Sequence, residues 1–136
     1  MDWVTDAVAI GTAVEAHSPG FREQHGFQGL VSLDGSMTIQ KAYSLGYDDV
    51  ICSPMKDGPG NDLETFRHTV DALIAMAQDS LPVFVHCHAG KSRSVTVIAA
   101  FLVVTRGWTI RQAYGFIANT RAIQVQPGLP ELISGL

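Results

Sequence analysis

The alternation of apolar and polar positions divides the chain into short strand-like runs separated by stretches with helical spacing. Trp3 to Ile10 alternates loosely, with Val4, Val8 and Ile10 apolar ahead of Gly11, and predicts two short strands or one bent hairpin. Thr12 is placed to cap a short helix through Ala16, and Ser18-Pro19-Gly20 breaks it before a further helical turn over Phe21 to His25. Leu30-Val31-Ser32-Leu33 and Val50-Ile51-Cys52 are strand runs, the first stopped by Asp34-Gly35 and the second by Pro54. Between them, Met37 to Tyr47 predicts a helix.

Met55 to Asp62 is rich in turn residues and predicts a mobile loop. Leu63, Phe66, Val70, Leu73, Ile74 and Ala77 then share one face of a long helix, with Asn61 or Asp62 as its cap and Glu64 in its first turn. Val83-Phe84-Val85-His86 is a further strand, and the apolar run Val95 to Val104 is a buried helix closed by Gly107. Thr109-Ile110-Arg111-Gln112 has the form of a capping box opening an amphipathic helix through Asn119, and Leu129 to Leu136 predicts a last helix behind Pro127-Gly128. Strands alternating with helices predict an α/β fold. One domain over residues 1–136 is expected, its central, mostly parallel sheet flanked by helices on both faces.

Composition and charge narrow the function. The 136 residues are 46% hydrophobic and 16% charged, the balance of one globular core. Val95 to Val104 is half of the roughly 20 residues that span a bilayer. Met1-Asp2-Trp3 shows no secretion signal, and two cysteines without framework spacing suit a reducing cytoplasm, the expected location. A net charge of −4 argues against a nucleic-acid or anionic-membrane partner. The sequence leaves the oligomeric state open, with a monomer as the default.

The segment with chemistry is His86-Cys87-His88-Ala89-Gly90-Lys91-Ser92-Arg93-Ser94, which joins a strand to a buried helix. A loop feeding the first turn of a helix presents unpaired N–H groups, and with the helix dipole they form an anion cradle. Cys87 stands at the mouth of that cradle. The same positive end lowers a thiol's pKa from about 8.5 toward roughly 3.5–7.5, making Cys87 a thiolate and hence a nucleophile at neutral pH. Arg93, six residues on, can grip two oxygens of a tetrahedral anion with its planar fork. Phosphate fits best. His88, Ala89, Gly90, Lys91 and Ser92 are expected to present N–H groups to it, with Lys91 and His88 adding charge at the rim and Gly90 adopting a conformation closed to other residues. A Walker loop would need glycine where Val85 stands, and adjacent His86, Cys87 and His88 do not converge on one tetrahedral metal. No metal and no cofactor are expected.

His86-Cys87, five intervening residues and Arg93-Ser94, with Ala89-Gly90 in the middle, resemble the signature loop of the cysteine-dependent protein tyrosine phosphatases, particularly the compact dual-specificity branch. Trp3-Val4-Thr5-Asp6 followed by Ala9-Ile10-Gly11 also resembles the start of those small enzymes. The resemblance implies a tyrosine-phosphatase-like fold and hydrolysis of phosphate monoesters on a protein or peptide through a phosphocysteine. It gives His86 a supporting role in fixing the loop and the Cys87 pKa. Ser94 becomes both an N-cap and a hydrogen-bond donor to the leaving thiolate.

A general acid is needed because an alkoxide leaves poorly unless protonated. The family takes an aspartate upstream of the loop, and Asp57, followed by Gly58-Pro59, is the choice. Asp62 is the runner-up, at a position where a helix cap is expected. The segment Arg121 to Pro127 resembles the family's loop-bracing Arg…Pro-Asn segment without its asparagine, leaving Gln124 and Gln126 as candidate braces. The tyrosine-containing recognition motif of the large tyrosine-specific enzymes is not found, which favours a shallow pocket tolerant of phosphoserine and phosphothreonine. Cys52 is a core residue in the first instance and a redox partner for Cys87 in the second. The rival readings are a phosphoinositide or other small-molecule phosphatase, a rhodanese-like sulfurtransferase, and a phosphate-binding module without turnover.

Overall fold

The computed structural model describes residues 1–79 and 81–136. Its five strands are β1 (Asp2–Trp3), β2 (Val8–Gly11), β3 (Gly29–Ser32), β4 (Asp49–Cys52) and β5 (Val83–His86). They lie in the order β1-β2-β5-β3-β4, all parallel except the hairpin partner β1. The helices are α1 (Ala13–His17), α2 (Phe21–His25), α3 (Ile39–Ser44), α4 (Leu63–Gln78), α5 (Arg93–Arg106), α6 (Ile110–Ala118) and α7 (Leu129–Ser134).

Period-two alternation sorts the strand side chains between two cores. Val8, Ile10, Val31, Val83 and Val85 pack with α4, α5, α6 and α7. Ala9, Leu30, Val50 and Phe84 face the other way, onto α1, α2 and α3. Helices therefore cover both faces, as parallel strands buried on both sides require. α5 is the central helix, buried from Ser94 to Leu102. Val104 is 53% exposed, so the buried face ends earlier than the apolar run suggests.

Local signals set most helix ends. Thr12 caps α1 in a full capping box with Glu15, Thr38 caps α3, Asp62 caps α4, and Thr109 with Gln112 forms the box that opens α6. Gly107 closes α5 at φ +67°, the left-handed conformation that favours glycine. The buried face of α4 holds Phe66, Thr69, Val70, Leu73 and Met76, with Ile74 and Ala77 at its half-buried edge.

The C-terminal ends of the parallel strands form one row, in which Gly11 and Ser32 flank His86 and Cys52 pairs with Ser32. The loop after β5 leaves the sheet at its centre, where such sheets bind ligands. The row also separates the two cysteines. Cys52 lies two strands from His86, roughly 9–10 Å at 4.7–4.9 Å per strand, and packs on the α1–α3 side. A disulfide needs Cα atoms within about 7 Å, so the Cys52–Cys87 redox pair does not fit this geometry. Burial also pushes the Cys52 thiol pKa up.

Candidate active site

The loop from His86 to Ser94 is shaped by bonds to its carbonyl groups. Ala13 N donates to His88 O (3.1 Å), Gln124 N to Lys91 O (2.8 Å), and Thr96 N and Oγ1 to Ser92 O (2.9 and 3.0 Å). His86 Nδ1 donates to Cys87 O (3.0 Å). With four carbonyls engaged in this way, the amides turn inward, and α5 adds the positive end of its dipole. Gly90 makes the turn at φ +67°, and a Cβ there would lie 2.6 Å from Gly11 O, so glycine is required twice over.

Cys87 is the floor of this cradle rather than its mouth, at 2% exposure. Burial pushes its thiol pKa up, but hydrogen bonds from Ser94 Oγ and from the N–H groups of Ser94, Gly90 and Ser92 outweigh burial and hold it below the ordinary thiol value. Cys87 Sγ lies 3.2 Å from Ser94 Oγ. Ser94 is thus the thiolate's partner, as expected, but not an N-cap. The cap position is Ser92, whose hydroxyl accepts from Gln126 N (3.1 Å) instead of closing the helix, and Ser94 sits in the first turn.

His86 is fully buried, and burial lowers its pKa, so it is neutral with its proton on Nδ1. Among the described residues Nε2 has no partner. Its contact is with the Cys87 carbonyl, which suits the supporting role rather than a direct one.

Arg93 reaches from α5 to the opposite loop, where its Nη1 donates to Met55 O (3.3 Å). Its Nε is buried without a protein partner among the described residues. Asp57, two residues beyond Met55, lines the same cavity as Cys87, His88, Ala89, Lys91, Ser92, Arg93, Gln124 and Gln126. That cavity holds about 160 Å³, small beside the roughly 300–1,000 Å³ of pockets that enclose a drug-sized ligand, and suited to a phosphoryl group.

Asp62 is elsewhere. Its carboxylate accepts from Thr65 Oγ1 (2.8 Å) and Thr65 N (2.9 Å), and those bonds pull its pKa below the usual range. It caps α4 and borders a neighbouring cavity that does not include Cys87. Asn61, a rival candidate for that cap, has a different part. Its Nδ2 donates to Lys56 O (2.9 Å) and Gly58 O (3.0 Å), while its Oδ1 accepts from Lys56 N (2.9 Å). The segment expected to be mobile is therefore pinned across Asp57 by one side chain, and Pro59 packs where a Cβ on Gly128 would fall. An asparagine five residues after Lys56 in a Gly-Pro-Gly turn was the available signal for this role.

The brace behind the signature loop is also built differently from expectation. Gln124 and Gln126 act through their backbone N–H groups, on Lys91 O and Ser92 Oγ, and not through their side chains. Arg121 supplies the side-chain brace, with Nη1 donating to Asp2 Oδ2 and to Ile10 O, both at 3.0 Å.

A family model for the dual specificity phosphatase catalytic domain matches residues 9–131. Dual specificity protein phosphatase 12 of Mus musculus is 28% identical over 119 residues, covering 87% of this chain and 35% of that protein. The Homo sapiens protein of the same name is 32% identical over 114 residues, covering 82% and 33%. The chain thus spans about a third of the length of these relatives. Among solved structures, human DUSP28 matches with a TM-score of 0.85 at 21% identity, over 99% of this chain and 94% of that one. PTPMT1 matches at 0.80 and 22%, over 98% and 91%. Such identities speak to the fold, a tyrosine-phosphatase-like one. The family model encloses the signature loop, Asp57 and Arg121 alike, and by that match the chain belongs to the dual specificity phosphatase catalytic-domain family.

Proposed function

We propose that this chain hydrolyses phosphate monoesters on proteins, phosphotyrosine together with phosphoserine or phosphothreonine, through a phosphocysteine intermediate. The observation that carries the reading is the convergence of Cys87, Arg93 and Asp57 on one small cavity. The inward amides of the loop and the Arg93 fork bind the three non-bridging oxygens and hold phosphorus in line with Cys87 Sγ. The thiolate attacks phosphorus as the ester P–O bond breaks, and Asp57 gives its proton to the leaving oxygen. Asp57, now a carboxylate, takes a proton from water. The oxygen of that water attacks phosphorus as the S–P bond breaks, which releases inorganic phosphate and returns the Cys87 thiolate that Ser94 Oγ steadies. A reducing compartment suits this chemistry, because a thiolate nucleophile oxidises readily.

A second reading keeps the site and changes the substrate. Exposed Lys91 and His88 at the rim favour a multiply phosphorylated headgroup, and one 47-residue stretch is 45% identical to human phosphatidylglycerophosphatase and protein-tyrosine phosphatase 1. Sulfur transfer is less suitable, since it needs no acid beside the thiolate. The test is hydrolysis in EDTA of phosphotyrosine and phosphothreonine peptides against phosphoinositide micelles and thiosulfate. Peptide turnover that Cys87→Ser abolishes supports the protein substrate. Turnover confined to the lipid would replace it with the second reading, and persulfide formation from thiosulfate would overturn both.

A further inference from the structure

We propose that Asp2, on the edge strand β1, is a positioning residue for the nucleophile, acting through Arg121 on the Gly90 turn. The register of the β1–β2 hairpin sets Asp2 opposite Ile10, and Arg121 Nη1 is shared between the Asp2 carboxylate and the Ile10 carbonyl. The guanidinium arrives from 119 residues away and is mostly buried, its side chain 14% exposed. Its Nε has no partner among the described residues, so these two oxygens are what orient it.

The other terminal nitrogen, Nη2, lies 2.9 Å from where a Cβ on Gly90 would stand, and Gly11 O lies 2.6 Å away from the same point. Gly90 is wedged between a β2 carbonyl and the Arg121 fork. Its left-handed turn lies beside the sulfur, where the Gly90 N–H dipole is one of those that lower the Cys87 pKa. Asp2, Arg121, the Gly90 turn and Sγ therefore stand in one line of neighbours. Asp2 itself is 39% exposed, and ion pairs near the surface add little to folding. Its loss is expected to disturb the loop more than the fold.

The sign of one measurement separates positioning from plain electrostatics. Removing a negative charge that acted only through space favours the thiolate and lowers the Cys87 pKa. Releasing Arg121 loosens the Gly90 donor and raises it. The experiment is the pH dependence of Cys87 alkylation by iodoacetamide, followed by mass on the Cys87 peptide so that Cys52 does not interfere. Asp2→Asn, Asp2→Glu and Arg121→Lys are compared with wild type, with para-nitrophenyl phosphate kcat/KM measured in parallel. His88, Lys91, Arg93 and Asp57 around the thiol, and His86 with its neighbours Asp34 and His17 behind it, are unchanged in all four proteins.

Asp2→Asn is expected to raise the thiol pKa by about half a pH unit or more and to lower kcat/KM at pH 6 about three- to tenfold. Asp2→Glu recovers most of both, and Arg121→Lys, which keeps the charge but not the shared fork, moves the pKa up as well. A downward or absent shift in Asp2→Asn or Arg121→Lys would overturn the proposal. The effect on turnover rests on the phosphatase reading, whereas the effect on thiol acidity does not. A raised pKa in an enzyme inactive toward every phosphate ester would leave the Asp2 assignment standing and remove the phosphatase reading alone.

Discussion

The two loops that meet over the Cys87 cavity are built on opposite plans. The signature loop is held through its backbone: its carbonyls at Cys87, His88, Lys91 and Ser92 are each engaged, and its turn is locked by Gly90. The loop that carries Asp57 is tied mainly by a side chain, through the three hydrogen bonds of Asn61, with Asp57 itself exposed to solvent. Under the proposed function, the first half places the nucleophile and the phosphate before any bond changes, and the second offers a lightly tethered, exposed carboxyl to leaving groups that vary. Arg93 joins the two plans, since it starts from α5 and ends on the Met55 carbonyl.

This contrast is broken most severely at the residue that spans it. Arg93→Ala removes the fork and the tie to the acid loop together, and a loss of about 10²–10³ in kcat, or more, is expected in steady-state assays. Gly90→Ala strikes the rigid loop alone. The added Cβ meets Gly11 O at 2.6 Å in a left-handed backbone, so either the turn opens or the strand end shifts. A loss of about tenfold or more in kcat/KM and slower Cys87 alkylation at pH 6 are the expected results. Asn61→Ala strikes the tethered loop alone. Its kcat is expected to fall about three- to tenfold, about 0.7–1.4 kcal/mol of barrier, while Cys87 alkylation is unchanged. If Asn61→Ala also slowed alkylation, the two loops would be one mechanical unit and the contrast would be false.

Smaller effects follow from protonation. Ser94 Oγ is the leading group holding the Cys87 pKa down against burial, so Ser94→Ala raises it and moves the acidic limb of kcat/KM to higher pH. Buried neutral His86 has a folded pKa below its unfolded one, so the unfolded chain binds the extra proton on acidification. Its contribution to stability is present above about pH 6.5 and is lost as pH falls toward the folded value. Urea midpoints of wild type, taken from pH 7.5 downward, are expected to drop through that window, and less steeply in His86→Gln.

The same division explains what could be read from the sequence. The signature loop was legible because strand, loop and helix are consecutive and its residue types stand at fixed spacing, although distant backbone groups such as Ala13 N and Gln124 N hold it. The sheet and both helix layers were legible for a similar reason, since period-two runs such as Val83-Phe84-Val85 carry their own burial pattern. Asp57 is chosen from the sequence on the turn that follows it and on its place upstream of the loop, and the fold puts it on the cavity that Cys87 lines. The misreadings lie where a polar side chain has two uses. Of the two roles expected of Ser94, the contact with the sulfur is present, while the cap position is Ser92. Of the two candidate caps for α4, Asp62 fills the position and Asn61 ties the loop that carries Asp57. Gln124 and Gln126 looked like side-chain braces, whereas their amides carry the contact, which no residue type encodes. The Asp2–Arg121 pair spans nearly the whole chain and has no local signal at all.

The central claim, that Cys87 carries the phosphoryl group and Asp57 moves the protons, is tested most directly by acid-quenched mass spectrometry of Asp57→Asn during turnover of para-nitrophenyl phosphate. Nitrophenolate leaves without help, so the thiolate is still phosphorylated, while hydrolysis of the intermediate lacks its base. The predicted result is an enzyme carrying one phosphoryl group, mapped to Cys87, at a higher occupancy than in wild type and absent from Asp57→Asn/Cys87→Ser. Turnover with no phosphoryl group on Cys87 in either protein would contradict the account.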